Sequence, residues 1–284
     1  MTGTSLEVLS FMASSIKKRT GSEYSDGRPG RINYHSEDEY RTITLLVQST
    51  AYDMQDVAHL RDSINELFDG ELMLREMRIM NVEVEYESPG QRTGELQLEA
   101  PEYVNGKQIK VTMVNSPEID DTTLVSTFTV EFETTELPYF ETIYTTLELH
   151  DTGFDVNAEK YGLVDNIDSD KVLYRFTEST FNVYNAGNVK IEPESMELVI
   201  QINNASTPGT LSLRNLTTGE EFRLTKSLTD RHISLNGMNI RNDTVNAFRD
   251  SNRRFISIAP GDNQFEITGA TFSEVWFRFK YLYK

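Results

Sequence analysis

The chain has 284 residues, 38% of them hydrophobic, no cysteine, and a formal net charge of −18. That length implies two domains or one large β domain, and the apolar share is enough for a core. Without cysteine there is no disulfide framework and no thiolate metal site, and the acidic balance argues against binding nucleic acid. No apolar run approaches the ~20 residues of a membrane span, so no membrane insertion is expected. Leu6–Ile16 is broken by polar residues and its basic cluster follows it, which is not a signal-peptide layout. The charge is uneven. Residues 1–150 carry 12 basic against 27 acidic side chains, hence −15, and residues 151–284 carry 15 against 18, hence −3. That asymmetry supports two modules.

In chain order, Leu6–Phe11 reads as a short strand. Lys17-Lys18-Arg19 reads as a solvated basic loop. Asp26-Gly27-Arg28-Pro29-Gly30 is a turn, because glycine lets the backbone reverse and proline fixes φ. A phosphate cradle would need a helix immediately after it, and an extended stretch follows instead. Arg41–Ser49 is a strand with Ile43, Leu45 and Val47 on one face. The spacing of Val57, Leu60, Ile64, Leu67 and Phe68 predicts a helix over 53–69, with Asp53 at its start and Gly70 past its end. His59 lies away from that stripe and is expected in solvent. Strands are expected at Glu71–Met80, Asn81–Ser88, Gly94–Leu98, Lys107–Val114 and Leu124–Phe132. Leu137-Pro138-Tyr139-Phe140 closes the module. One helix on antiparallel strands makes residues 1–150 an α+β domain.

Residues 151–170 read as a connector. Asp165, Asp168 and Asp170 have part of the alternation of a calcium loop but lack its glycine, so a solvated acidic loop is expected. Residues 171–284 read as strands and turns. Phe181–Tyr184 is followed by a turn at Asn185-Ala186-Gly187-Asn188, where positive φ is tolerated. Pro193 suits a strand start or edge. Met196, Leu198, Ile200 and Ile202 then share one face of a half-buried strand. A hairpin is expected across Thr217–Glu220, and a second across Pro260–Asn263 joining Phe255–Ile258 to Phe265–Thr268. In the last strand Val275, Phe277, Phe279, Tyr281 and Tyr283 share a face, and Trp276, Arg278 and Lys280 share the other. About eight short strands over this span imply an antiparallel sandwich or jelly roll.

No catalytic constellation emerges. His35, His59, His150 and His232 stand in no nucleophile elbow and no metal-ligand spacing. The 45 Asp and Glu residues contain no pair that sequence singles out for glycoside hydrolysis.

The ordered set FNVYNAGNVKIEPESMELVIQI, GTLSLRNLTTGEEFRL (209–224), PGDNQFEITGA (260–270) and VWFRFKYLY (275–283) resembles the C-terminal domain of the distal tail protein (Dit) family of long-tailed phages. The turn at Asp26, Gly27, Arg28 and Gly30 is similar to one near that family's start, and Pro138-Tyr139 to the end of its N-terminal domain. The family's usual prefix is short before Leu6. The resemblance implies a mainly β protein. Its N-terminal α+β domain would be a sandwich with one helix and a β-hairpin extension, followed by a galectin-like antiparallel β-sandwich. It implies a non-catalytic homohexameric ring at the virion tail tip, made in the host bacterial cytoplasm and needing no cofactor. Its partners would be the tail tube protein, the tip hub or tail-associated protein, and receptor-binding or baseplate proteins. No sequence-specific nucleic-acid contact is implied. A ring around passing DNA would favour an acidic lumen, with Glu83, Glu85, Glu87, Glu95 and Glu99 toward the axis; alternatively that charge serves solubility. A galectin-like shape raises the alternative of a carbohydrate-binding module contacting the host wall, with Trp276 stacking on a sugar. The other reading of Trp276 is packing between sheets or against a partner.

Overall fold

The computed structural model describes residues 5–24, 26–27, 29–78, 102–103, 106–115, 117–120, 122–153 and 166–284. The expected strands Asn81–Ser88 and Gly94–Leu98 lie outside them. The described chain is mainly β, as the patterning implies. It forms two compact units: residues 1–75, 108–140 and 284, and residues 76–107 and 141–283.

The first unit holds β1 (Ser5–Ala13), β2 (Lys17–Tyr24), β3 (Arg31–Tyr40), β4 (Thr42–Thr50), α1 (Asp56–Phe68) and β5 (Glu71–Leu74). After β6 (Met77–Arg78) and β7 (Glu102–Tyr103), which pair with each other, come β8 (Lys107–Met113) and β9 (Val125–Thr134). The main sheet runs β1–β4–β9–β8 with β5 also on β8, all antiparallel. Period-two alternation turns Ile43, Leu45 and Val47 of β4 and Phe128, Val130 and Phe132 of β9 to one face. Ile64 and Phe68 of α1 join that cluster, with Phe68 edge-on to Phe132 at 5.7 Å between ring centres. Each such burial contributes about 1.5–3 kcal/mol.

Three local readings of this unit change. The helix starts at Asp56, while the Asp53 carboxylate accepts from the backbone N–H groups of Gln55 (2.8 Å) and Asp56 (3.0 Å). Leu67 is exposed, because the stripe's buried line runs through Val57, Ile64 and Phe68. Lys17-Lys18-Arg19 is strand, not loop. It opens the two-stranded β2–β3 ribbon, in which Lys17 meets Tyr40 and Arg19 meets Glu37 (2.6 Å). The ribbon has no core face, so its sequence shows no apolar period.

In the second unit, β10 (Phe140–Thr142) is followed by α2 (Thr146–Thr152), where the sequence reading ended its module and began a connector. Thr145 and Glu148 form a reciprocal capping box that starts this short helix. Then come β11 (Arg175–Phe176), β12 (Thr180–Asn185), β13 (Leu198–Thr207), β14 (Thr210–Asn215), β15 (Glu221–Thr225), β16 (Leu228–Asn236), β17 (Asn239–Asn242), β18 (Val245–Asn246), β19 (Gly261–Thr268), β20 (Glu274–Phe279) and β21 (Leu282–Tyr283). They make a six-stranded sheet, β11–β20–β13–β16–β17–β18, and a four-stranded sheet, β12–β19–β14–β15. Ile200, Ile202, Ile233, Phe277 and Phe279 of one sheet and Leu211, Leu213, Phe222 and Phe265 of the other are fully or almost fully buried. Phe265 and Phe277 lie 4.9 Å apart between ring centres. This is an antiparallel two-sheet sandwich.

Here too the local readings are partly corrected. The hairpin across Thr217–Glu220 forms as β14–β15. The one across Pro260–Asn263 does not, because Phe255–Ser257 is no strand. Its backbone is taken by side chains: the Ser257 N–H donates to the Glu220 carboxylate (2.6 Å) and the Ser257 carbonyl accepts from Asn215 (2.9 Å). Only Ile258 bridges, to Ile191. Pro193 lies in a turn, and Met196 precedes the strand it was expected to open.

Candidate assembly surface

β1 is the edge of the first unit's sheet. Its neighbour β4 covers one side of its backbone, and among the described residues no strand pairs with the other, the arrangement that invites pairing with another chain. It is also apolar where it is exposed: Leu6 is 36%, Val8 51%, Leu9 46% and Met12 53% accessible. Leu6 and Val8 stand opposite Ser49 and Val47, both buried, so they extend the core face beyond the part that the unit itself covers. Leu9 drops out of the ladder between Val8–Val47 and Ser10–Leu46, a bulge that turns it outward. Thr50 pairs with both Ser5 and Val125, which puts the exposed Val125 and Leu124 at the same end of the sheet. Exposed apolar side chains thus lie along β1 and, on the opposite face of the sheet, at Val125.

The β2–β3 ribbon carries the expected turn at its tip. Asp26 and Gly27 are exposed there, and Gly27 (φ 80°) and Gly30 (φ 89°) occupy the left-handed region that glycine tolerates. Arg28 lies outside the described residues. Tyr24 and Tyr34 stand exposed near this tip, Tyr34 donating to Glu23 (2.7 Å). At its base the ribbon is tied by Asp38, which accepts from Tyr139 (2.9 Å) and pairs with Lys284 (2.7 Å) and Lys18 (3.8 Å). The Lys284 ammonium and the Tyr139 hydroxyl hold the Asp38 carboxyl below the usual carboxylate range.

The remaining sequence candidates fall elsewhere. Asp165 lies outside the described residues, as do Glu83, Glu85, Glu87, Glu95 and Glu99. Asp168 caps a single 3-10 turn at Ser169–Lys171 by accepting from the Asp170 N–H (3.1 Å). Among the described residues no cluster of metal-ligand side chains forms. His150 approaches the Val172 carbonyl (3.3 Å) and the Tyr174 N–H (3.4 Å), a structural position. Trp276 stands on the outer face of the six-stranded sheet, so it does not pack between the sheets. The open edge at β1 was not legible, since an apolar strand looks the same whether or not something covers it.

No protein-family model and no curated protein matches the sequence. Among solved structures, the chain is similar to the Dit protein (gp 19.1) of phage SPP1, described as a paradigm of the hub adsorption apparatus in phages infecting Gram-positive bacteria. The TM-score is 0.60 at 9% identity, over 97% of this chain and 93% of that one. A looser likeness, TM-score 0.39 at 11% identity, joins it to the phage p2 baseplate in its activated conformation, over 97% of this chain and 90% of that one. At such identities the likeness to SPP1 Dit is one of architecture, and over nearly its whole length this chain has a Dit-like fold.

Proposed function

We propose that the chain is a structural protein of a phage tail tip. It forms a homo-oligomeric ring, a hexamer by family resemblance, that joins the tail tube to the tip hub. Receptor-binding or baseplate proteins attach at its periphery. Residues 1–150 make the ring, and the galectin-like sandwich of residues 171–284 projects outward. It is made in the host bacterial cytoplasm and ends in the virion tail. The reading assigns it no catalytic role and no cofactor.

The observation that carries this is the Dit-like fold over nearly the whole chain. The apolar, open edge of β1 supports it, because a ring subunit needs a surface that pairs with its neighbour. Electron microscopy and light scattering on the purified chain test it. A closed ring is expected, and a monomer at tens of micromolar would sink the proposal. An assembled ring with a neutral or basic inner wall would rule out the acidic lumen alone.

A further inference from the structure

Arg41 immediately precedes β4, and it takes the first place in the buried series that continues through Ile43, Leu45 and Val47. Its backbone is fixed there. The N–H donates to Thr134 Oγ1 (3.1 Å), and the carbonyl accepts from the Thr134 N–H (3.1 Å). The residue is only 6% accessible. A charge at the end of an apolar line is ordinarily paired, because a buried charge without a counter-ion is strongly destabilising.

Arg41 has no such pair. Among the described residues no carboxylate lies within ion-pair distance of it, and its guanidinium donates to no acceptor. Nε is enclosed; Nη1 and Nη2 are not, so a group arriving from outside can reach them. The Phe140 ring lies against the guanidinium, 5.0 Å from Cζ to the ring centre. An aromatic face attracts a cation but does not neutralise it. Asp38 attracts Arg41 from beyond ion-pair distance, yet its carboxylate is already engaged by Lys284 (2.7 Å), the Tyr139 hydroxyl (2.9 Å) and Lys18 (3.8 Å). Burial still pulls the guanidinium below its ordinary value. All of these residues belong to the first unit.

We propose that Arg41 is a binding site for one carboxylate, either free or carried by an acidic side chain of another copy of this chain. Two Nη groups match the two oxygens of a carboxylate in a pair of parallel hydrogen bonds. An apolar ligand would leave the charge uncompensated, and a phosphate dianion would set a second negative charge beside Asp38. Arg41 also stands one strand in from the edge strand β1: Ser14 N–H donates to the Thr42 carbonyl (2.9 Å), and Ser14 Oγ accepts from the Thr42 N–H (3.0 Å). A second copy paired along β1 passes close by, and residues 1–150 hold acidic side chains in excess. The free source is independent of ring formation; the side-chain source rests on it.

The test is the melting temperature of the dilute full-length chain in sodium acetate, sodium chloride and sodium phosphate at one pH and equal ionic strength. Acetate at about ten times its Kd should raise it by about 2–4 °C over chloride. Arg41→Met should melt at or above the parent in chloride, because an apolar chain of similar size replaces an unpaired charge, and it should lose the acetate difference. Arg41→Lys, which keeps the charge without the fork, should bind acetate about tenfold more weakly. Sedimentation velocity over a concentration series separates the two sources. If another copy supplies the carboxylate, Arg41→Met self-associates at least about tenfold more weakly and the assembled parent no longer responds to acetate. If the carboxylate is free, parent and variant assemble alike and the response persists. A parent that responds to acetate but stays monomeric removes the ring and keeps the site. No acetate difference in the dilute parent overturns the proposal, as does a difference that survives in Arg41→Met or a larger effect of phosphate. An Arg41→Met variant that melts well below the parent would make Arg41 a packing residue and equally overturn it.

Discussion

The hydroxyls of Tyr174 and Tyr281 bond to each other inside the sandwich, and Tyr174 in turn donates to the Tyr184 carbonyl (2.8 Å). Donation to Tyr184 uses the only hydrogen of Tyr174, so Tyr281 is the donor between the two. Both rings are essentially inaccessible. The two removals are therefore unequal. Tyr281→Phe deletes one donor and leaves Tyr174 bonded to Tyr184, at a cost of about 0.5–1.5 kcal/mol. Tyr174→Phe strands both the Tyr281 hydroxyl and the Tyr184 carbonyl, at about 1–3 kcal/mol for each group left unpaired. Urea denaturation should rank Tyr174→Phe as the more damaging; the reverse order would contradict this geometry.

The same pair sets a response to alkali. Burial pushes both hydroxyls well above the ordinary tyrosine value of ~10. A group whose folded pKa is raised contributes stability that is complete below its unfolded pKa and is lost as pH rises through the folded one. The melting temperature should hold up to about pH 9 and fall beyond about pH 10. The Tyr174→Phe, Tyr281→Phe double variant, weaker to begin with, should show a shallower fall. Equal slopes for the two proteins would place the alkaline transition elsewhere.

Gly187 is required by closeness rather than by φ. It was expected to supply a left-handed turn, yet its φ is not positive. Instead a Cβ there would overlap the backbone carbonyl and N–H of Leu282, and Asn188 N–H donates to that carbonyl (3.1 Å). Gly187→Ala should cost about 1–3 kcal/mol, since backbone cannot step aside as a side chain can. Gly209, with no atom within 4 Å of its would-be Cβ, is the control. Its alanine variant should stay within about 0.5 kcal/mol by chemical denaturation.

In α1 the buried line and the exposed line separate two leucine-sized residues. Ile64 is 2% accessible and Leu67 55%. Ile64→Ala should cost about 2–5 kcal/mol and Leu67→Ala under about 0.5 kcal/mol. Comparable losses in thermal unfolding would mean that Leu67 is covered in the assembled protein.

Val8→Lys tests the edge strand. A lysine on an open edge opposes pairing with another chain. At a half-exposed position it should cost the isolated subunit little, within about 1 kcal/mol. Sedimentation velocity should show the variant as a smaller species than the parent at equal concentration. Unchanged assembly would remove β1 from the interface.

The sequence by itself determined what local periodicity can carry. Period two fixed β4, β9, β13 and β20, and the three-four spacing around Ile64 fixed α1, because each of these elements buries one face and must repeat its apolar residues accordingly. The ordered strand motifs of the C-terminal part also pointed to a Dit-like sandwich. The helix α2 was missed, because it is too short to show a stripe, although Thr145 and Glu148 form its capping box. Only the tertiary structure decided the rest. The charged β2–β3 ribbon buries no face, so Lys17 and Arg19 find their partners 23 and 18 residues away through cross-strand pairing. Phe255–Ile258 has the composition of a strand, but Asn215 and Glu220 take up its backbone from a distant hairpin. Alternation along β20 already put Trp276 opposite the apolar face, but only the register of β11, β20 and β13 set Arg175 and Gln201 beside it. Hydrogen-bonded neighbours in a sheet are set by long-range register, and no window along the chain contains them.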